Sequence, residues 1–321
     1  MSSIKIACGQ LCSSSNLLHN ARVVKKLIHK AVKENVKVLF LPEASDYISR
    51  DAKHSMQLAQ SVHKNFISLV QTEIRSIYLK SSGDTDDKGL FVAVGVHEPS
   101  QSQSPTGDLK KVRNNQLWID NKGEILQTYQ KIHLFDVNIK DGPILKESNS
   151  VEPGNSVLKP FQVNSTSYAN FSIGFAICYD IRFPELGIKL RKLGANIITY
   201  PSAFTVKTGE SHWKELGKAR ALDTQCYVVM AAQCGEHDTA ADLETPPEQL
   251  KKRVSYGESI IISPWGEVLS ECKKYSDTLE LDEEGDYYEL CFADLDLDSL
   301  DAIRTNMPLL EHRREDIFGE M

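Results

Sequence analysis

The 321-residue chain has no excess of basic residues, no long apolar run and no paired-cysteine motif. Its 37 Lys and Arg against 44 Asp and Glu leave a formal charge of −7. That balance argues against a nucleic-acid partner, because phosphate binding needs clustered basic side chains. No stretch approaches the ~20 apolar residues of a membrane span, so no membrane partner is expected. Met1–Gln10 lacks the basic-then-apolar pattern of a secretory signal and the Arg-rich look of a transit peptide, which points to a cytoplasmic protein. The seven cysteines (Cys8, Cys12, Cys178, Cys226, Cys234, Cys272 and Cys291) are odd in number and widely spaced. With no C-x-x-C pair and no H-E-x-x-H, neither a disulfide framework nor a metal site is expected.

What is present reads as a globular chain, with 41% apolar and 25% charged residues. No linker or repeat divides it, so residues 1–321 are expected to form a single domain. Ile4 to Leu11 reads as a strand, and Asn16 is placed to cap a helix carrying Leu17, Val24, Leu27, Ile28 and Ala31. Val36 to Leu41 is a buried strand ending in Pro42-Glu43. A helical pattern runs from Met56 to Ile77, and Leu90 to Val96 is another strand. Gln116 to Asp120 and Glu124 to Tyr129 flank a turn at Asn121-Lys122-Gly123, the signature of a hairpin. Strands at Phe171 to Ile177, Asn196 to Tyr200 and Cys226 to Ala232 alternate with helices at Pro184 to Leu193 and Ser211 to Thr224. Ser259 to Ser263 and Glu267 to Glu271 form a second hairpin. The polar inserts around Glu236 to Arg253 and Lys273 to Asp286 are expected to be exposed loops. This pattern predicts an α/β fold with helices covering the outer faces of packed sheets.

Three segments place a reactive side chain just after a predicted buried strand, where α/β folds assemble their sites. They are Phe40-Leu41-Pro42-Glu43-Ala44, Tyr129-Gln130-Lys131-Ile132-His133-Leu134, and Gly174 to Glu185, which contains Cys178. A thiol at the start of a helical turn meets backbone N–H groups and, here, an amine, both of which favour the thiolate nucleophile. Taken singly, Lys131 reads as a solvated lysine and Glu43 as a helix-terminal acid. Two other readings stay open on the residues alone. One is a thiol peptidase pairing Cys178 with His133 or His212; the other is a binding protein without catalysis.

Together, Glu43 in LPEA, Lys131 in YQKIHLFD and Cys178 in AICYDIRFPE resemble the three motifs of the nitrilase superfamily of carbon–nitrogen hydrolases. Tyr200 to Phe204, Ala219 to Val228 and Ser263 to Gly266 extend the resemblance over nearly the whole chain, and Thr224 to Gly235 points to its Nit branch. The resemblance implies a four-layer αββα sandwich, dimerising through its helical faces, and a Glu-Lys-Cys triad needing no cofactor. In that scheme Cys178 attacks an amide carbonyl to form a thioester. Lys131 and the backbone N–H of Tyr179 stabilise the oxyanion, Glu43 moves the proton, and Glu147 orients Lys131. Arg182 and Thr208 hold the oxo-acid end of a small 2-oxo-acid amide. The implied substrate is deaminated glutathione, with 2-oxoglutaramate or a carbamoyl compound as the alternative. Phe204 and His212 are weaker candidates for the pocket wall. Glu258 departs from the pattern, since a histidine is commoner there, and both polar inserts are longer than in many relatives.

Overall fold

Along Ser3–Leu11, Ile4, Ile6 and Cys8 join one buried cluster while Ala7 and Leu11 join another. A strand buried on both faces belongs in the interior of a layered fold, and the computed structural model places it there. The structure describes residues 1–82, 86–100, 111–138, 144–244, 251–276 and 279–319. Its nine-stranded sheet runs, from one edge, through Val254–Tyr256, Ala232–Glu236, Ser3–Leu11, Val38–Phe40, Phe91–Pro99, Val112–Ile119 and Ile125–Gln130. Tyr288–Asp296 pairs antiparallel along the whole of Ser3–Leu11, and Val151–Glu152, the ninth strand, pairs parallel with Val112 and Arg113. A six-stranded sheet runs through Val268–Glu271, Ile260–Ile262, Tyr227–Met230, Ile197–Thr199, Ser172–Phe175 and Phe161–Gln162.

The two sheets face each other across one core. Phe40, Phe91 and Trp118 of the larger sheet pack in the same cluster as Phe175, Ile197 and Val228 of the smaller. The alternate side chains of the larger sheet, among them Leu39, Val92 and Val94, pack with Val24, Leu27 and Ile28 of the helix Leu17–Lys33 and with Val70 and Ile74 of Ser68–Lys80. The helices Pro184–Lys192 and Val206–Thr224 cover the smaller sheet. At Gly217 a Cβ would fall 2.3 Å from Met230 Sδ, so the absent side chain is what lets this helix sit so close to the sheet. The result is the expected four-layer αββα sandwich. No helix among the described residues is long and apolar enough to cross a membrane.

Most expected elements form, with informative differences. Asn16 caps the first helix by accepting from His19 N–H, as anticipated. The expected helix from Met56 to Ile77 is two helices, Ala52–Val62 and Ser68–Lys80, joined by a π-helical turn at His63–Ile67. The helix expected from Ser211 begins at Val206, because the Thr205 side chain caps it five residues earlier than the apolar pattern suggests. The single strand expected over Cys226 to Ala232 is split. Tyr227–Met230 stays in the smaller sheet, and the chain then crosses at Ala231 to pair Ala232 with Gln10 in the larger.

The inserts are not simply exposed. His237, Thr239 and Ala240 are buried, His237 bonding Ser13 O at 2.7 Å and Ser255 Oγ at 2.8 Å. Burial drives the His237 pKa down to about 4, so it sits there as a neutral ring. In the second insert the buried Asp286 carboxylate bonds Lys26 at 2.6 Å and Arg22 at 3.1 Å. Residues 245–250 and 277–278 of these inserts lie outside the described set.

The Phe175 ring meets Phe161 edge-on at 5.0 Å inside the shared core. Phe175→Ala is expected to cost ~3–5 kcal/mol, by lost transfer energy plus a residual cavity. Urea unfolding at neutral pH checks this, and a loss below about 1 kcal/mol would contradict the inter-sheet packing.

Candidate active site

Glu43 projects from a turn that the rest of the fold pins. After Val38–Phe40 the chain turns at Pro42, whose carbonyl accepts from Gly95 N–H at 3.1 Å, while Ser45 N–H donates back to Gly95 O at 3.0 Å. A Cβ on Gly95 would lie 2.4 Å from Pro42 O and 2.6 Å from Glu43 Cα, so only glycine permits the approach. Gln233 Nε2 donates to the carbonyls of Glu43, at 3.1 Å, and Ala44, at 3.0 Å. Ala44 itself is held at φ +56°.

Lys131 follows the strand Ile125–Gln130, its N–H bonded to Asn114 O at 2.9 Å. Its side chain is only 2% exposed and enters a cage of two carboxylates, with Nζ 2.8 Å from Glu43 Oε1 and 3.0 Å from Glu147 Oε1. Asn114 Nδ2 donates to the same two oxygens at 2.7 and 3.3 Å. The outer oxygens are also satisfied. Glu43 Oε2 accepts from Ala203 N–H at 3.0 Å, and Glu147 Oε2 from Phe135 N–H at 2.7 Å.

Cys178 opens the short 3₁₀ turn Cys178–Arg182 at the end of a buried strand. It adopts φ +49°, a left-handed conformation costly for a residue with a side chain. Its N–H is tied to Pro201 O at 2.9 Å, and its thiol lies close enough to Glu43 and Lys131 to feel both charges. The chain thus brings Glu43, Lys131, Glu147 and Cys178 together from four separate segments.

The charges follow from this geometry. Burial opposes an ionised Glu43, but the Lys131 charge and hydrogen bond overcome it and hold the carboxyl below its ordinary value. Burial likewise opposes the Lys131 ammonium, and Glu147 and Glu43 outweigh it, raising the amine well above its ordinary value. For Cys178, burial and the Glu43 charge push the thiol up, and Lys131 only partly offsets them. Burial thus outweighs the nearby amine and N–H groups that were expected to favour the thiolate, in line with the expectation that Glu43 takes the thiol proton.

The pocket at Cys178 is lined by Phe135, Tyr179, Arg182, Ala203, Phe204, Thr205 and Thr208, which includes Arg182, Thr208 and Phe204 of the residues expected at the substrate end but not His212, which bonds Arg182 instead. It encloses about 20 Å³, room for about one water. A larger hollow beside Glu236 to Thr239 contains none of these groups. Arg182 does not pair with Asp180 or Glu185; its guanidinium lies over the Tyr179 and Phe204 rings at 5.9 and 5.8 Å, with Nη2 3.2 Å from His212 Nδ1. Thr208 Oγ1 bonds Thr205 Oγ1 at 2.9 Å in the first turn of the helix Val206–Thr224, whose positive end therefore meets the pocket. The histidines of the thiol-peptidase reading are engaged elsewhere, His133 with Asp180 at 2.7 Å and His212 with Arg182. Glu258 pairs with Lys214 at 3.1 Å. No group of His, Cys, Asp or Glu among the described residues is arranged to hold a metal ion.

Sequence reasoning missed Asn114, Gly95, Gln233 and the N–H groups of Ala203 and Phe135. One signal was available: Asn114-Asn115-Gln116 is a polar triplet that turns out to be buried within a strand otherwise closing on Leu117-Trp118-Ile119.

Residues 5–305 match the carbon–nitrogen hydrolase family, and the chain belongs to it. It is a hydrolase acting on carbon–nitrogen bonds other than peptide bonds. Among curated relatives it is 42% identical to a probable hydrolase nit2 of Schizosaccharomyces pombe, over 97% of this chain and 98% of that one. It is 36% identical to the deaminated glutathione amidase of Bos taurus, over 98% of this chain and 84% of the relative. Among solved structures, the NitFhit protein of Caenorhabditis elegans superposes with a TM-score of 0.77 at 31% identity, over 99% of this chain and 66% of that longer one.

Removing the ammonium tests the cage independently of activity. Lys131→Met leaves the buried Glu43 carboxylate without its cation and facing the partly exposed Glu147, and is expected to cost ~3–5 kcal/mol at pH 7. The pH dependence should also invert. In the wild type, Glu43 is depressed, so its stabilisation is present above 4.5 and lost as pH falls through its folded value. In the variant, desolvation and like charge raise the folded pKa, so stability should increase as pH falls from 7 toward 5. Urea midpoints across that range distinguish the two slopes.

Proposed function

We propose that this protein is a cysteine amidase that cleaves the amide of a 2-oxo acid, with deaminated glutathione as substrate. The observation that carries this reading is the Lys131 ammonium held between Glu43 and Glu147, with the Cys178 thiol near enough to feel both Lys131 and Glu43. Cys178 Sγ attacks the amide carbonyl as Glu43 takes the thiol proton, so a bare thiolate never has to persist in the buried site. The oxyanion is stabilised by Lys131 and by the Tyr179 N–H. Glu43 then returns the proton to the departing nitrogen, the C–N bond breaks, and a thioester remains. Glu43 next deprotonates a water, which attacks the thioester carbonyl; the acid leaves and Cys178 recovers its proton. Glu147 keeps Lys131 aimed throughout.

Support for the substrate comes from the pocket and from the deaminated glutathione amidases among the relatives. The Arg182 guanidinium matches a carboxylate bidentately, and the N-terminal turn at Thr205 and Thr208 favours negative charge. With deaminated glutathione the leaving group is the amine of cysteinylglycine; with 2-oxoglutaramate it is ammonia.

The protein is further proposed to work as a cytoplasmic homodimer. Seven unpaired thiols fit a reducing compartment. Leu222, 49% exposed, and Trp265, 53% exposed, give the helical side of the smaller sheet apolar surface for a second copy.

Cys178→Ala should abolish release of cysteinylglycine while leaving the unfolding curve near wild type; substantial residual turnover would reject the mechanism. Arg182→Ala should raise KM by about tenfold or more with a smaller effect on kcat, as loss of a charge-assisted pair at a carboxylate does. The wild-type rate should hold at neutral pH and fall on the acid side only below 4.5, as Glu43 gains its proton, with no loss from Lys131 until above 10.5. Parallel assays of ammonia release from 2-oxoglutaramate decide between the two substrates.

A further inference from the structure

Two segments that carry reacting groups meet on one buried carboxylate that touches neither reaction nor substrate. Asp180 is fully buried. Its Oδ2 accepts from Tyr129 Oη at 2.7 Å and from Ile177 N–H at 2.9 Å. Its Oδ1 accepts from His133 N–H at 3.0 Å and from His133 Nδ1 at 2.7 Å. A carboxylate facing a backbone N–H is acceptor only, which fixes the proton on His133 Nδ1. The donors fall in a pattern. Tyr129 and His133 stand two residues before and two residues after Lys131, and Ile177 immediately precedes Cys178. The His133 ring is also stacked on Phe183 at 3.7 Å, just past the nucleophile's turn.

We propose that Asp180 is a positioning residue for the hydrolysis, its carboxylate bolting the Lys131 segment to the Cys178 turn so that ammonium and sulfur keep register during attack. This rests on the amidase reading above. Lys131 and Cys178 come from different sheets, and nothing in either sheet's own hydrogen-bond ladder sets their separation. Cys178 is moreover held at φ +49°, a conformation that persists only where its surroundings over-determine it. The Asp180 bond to Ile177 N–H is one such constraint, the Cys178 N–H bond to Pro201 O another.

The pattern also explains why an acid is needed rather than its amide. Both oxygens accept a backbone N–H, one from Ile177 and one from His133. An asparagine in either flip would turn its NH₂ against one of these donors, which cannot reverse. One side of the bolt must therefore open.

The test uses the full-length enzyme with deaminated glutathione as probe. Asp180→Asn should lower kcat by about 100-fold with KM changed less than about threefold, since misplacement near 1 Å has that cost. Tyr129→Phe keeps the ring and both backbone bonds, and should lower kcat by about tenfold with KM unchanged. Circular dichroism and thermal unfolding establish that each variant is folded, and rates are referred to folded protein. A purely structural role predicts a lower melting temperature with wild-type kcat, and that result in the folded variants would overturn the proposal. A rise in KM at constant kcat would overturn it equally. Should Asp180→Asn not fold, Tyr129→Phe decides alone: a tenfold fall supports the bolt and an unchanged kcat removes it. Cys178→Ala separates the two claims. If it stays active, the amidase reading fails; if it is inert while Asp180→Asn and Tyr129→Phe turn over normally, only the bolt fails.

Discussion

One buried ammonium between a buried carboxylate, Glu43, and a partly exposed one, Glu147, is the constraint around which the rest of the site is arranged. Taking three charges out of water carries a desolvation penalty of several kcal/mol per ion, and the mutual attraction repays it only when geometry is tight and every remaining lone pair is met. That requirement is visible atom by atom. Glu43 Oε1 is shared by Lys131 and Asn114, while Glu43 Oε2 takes the Ala203 N–H and Glu147 Oε2 takes the Phe135 N–H. The loops that carry these groups have little freedom left. Gly95 against Pro42, Gln233 under Glu43 and the left-handed Ala44 are devices for holding one carboxylate still.

The constraint reaches across the sandwich. Glu43 and Lys131 leave the nine-stranded sheet, whereas Cys178 and Ala203 leave the six-stranded one. The distance between sulfur and carboxylate is consequently set by how the two sheets pack, through Phe40, Phe91 and Trp118 on one side and Phe175, Ile177 and Ile198 on the other. Polar ties reinforce that packing. Thr199 Oγ1 donates to Gln116 Oε1 at 2.9 Å from one sheet to the other, and Gln233 N–H donates to Ser202 O at 2.9 Å where the chain changes sheets. A core of interlocking aromatic and branched side chains has the low compressibility that such a fixed distance needs.

This division explains what could be read from the sequence. Local patterns were legible wherever a strand or helix announces itself: Val36 to Leu41, the hairpin around Asn121-Lys122-Gly123, and Pro184 to Leu193 all appear close to where apolar runs and turn residues place them. The three residues proposed to react were legible because each follows such a run. The partners that fix them were not. Ala203 and Phe135 act through backbone N–H groups, which no side-chain pattern reports, and Gly95 matters only because Pro42 happens to lie against it. Tyr288–Asp296 escaped for another reason: Glu289, Asp294 and Asp296 break its strand signature, and only its pairing along Ser3–Leu11 rewards the conformation. The crossing at Ala231 was likewise invisible, since Cys226 to Ala232 reads as one apolar stretch although Tyr227–Met230 and Ala232 serve different sheets. Tertiary pairing decided both.

The electrostatics contain a tension that the proposed reaction resolves. An adjacent ammonium lowers the proton affinity of Glu43, and a weaker base is a poorer catalyst. Yet without Lys131 burial would push the Glu43 pKa upward and favour the uncharged acid, which cannot take a proton. Glu147 eases the conflict by drawing part of the Lys131 charge to itself, so that Glu43 stays ionised without being fully neutralised. Attack on the carbonyl then changes the balance in the helpful direction. As the oxyanion forms, Lys131 turns its charge toward it and away from Glu43, whose affinity for the thiol proton rises during the step that delivers it. The reverse follows on collapse: the oxyanion disappears, Lys131 returns to Glu43, and the proton is driven off toward the leaving nitrogen. In the proposed reaction a single shared cation thereby couples proton transfer to carbon–nitrogen cleavage. The coupling requires Lys131 and Cys178 to stay in register throughout, which is why the support beneath them is as densely bonded as the site itself.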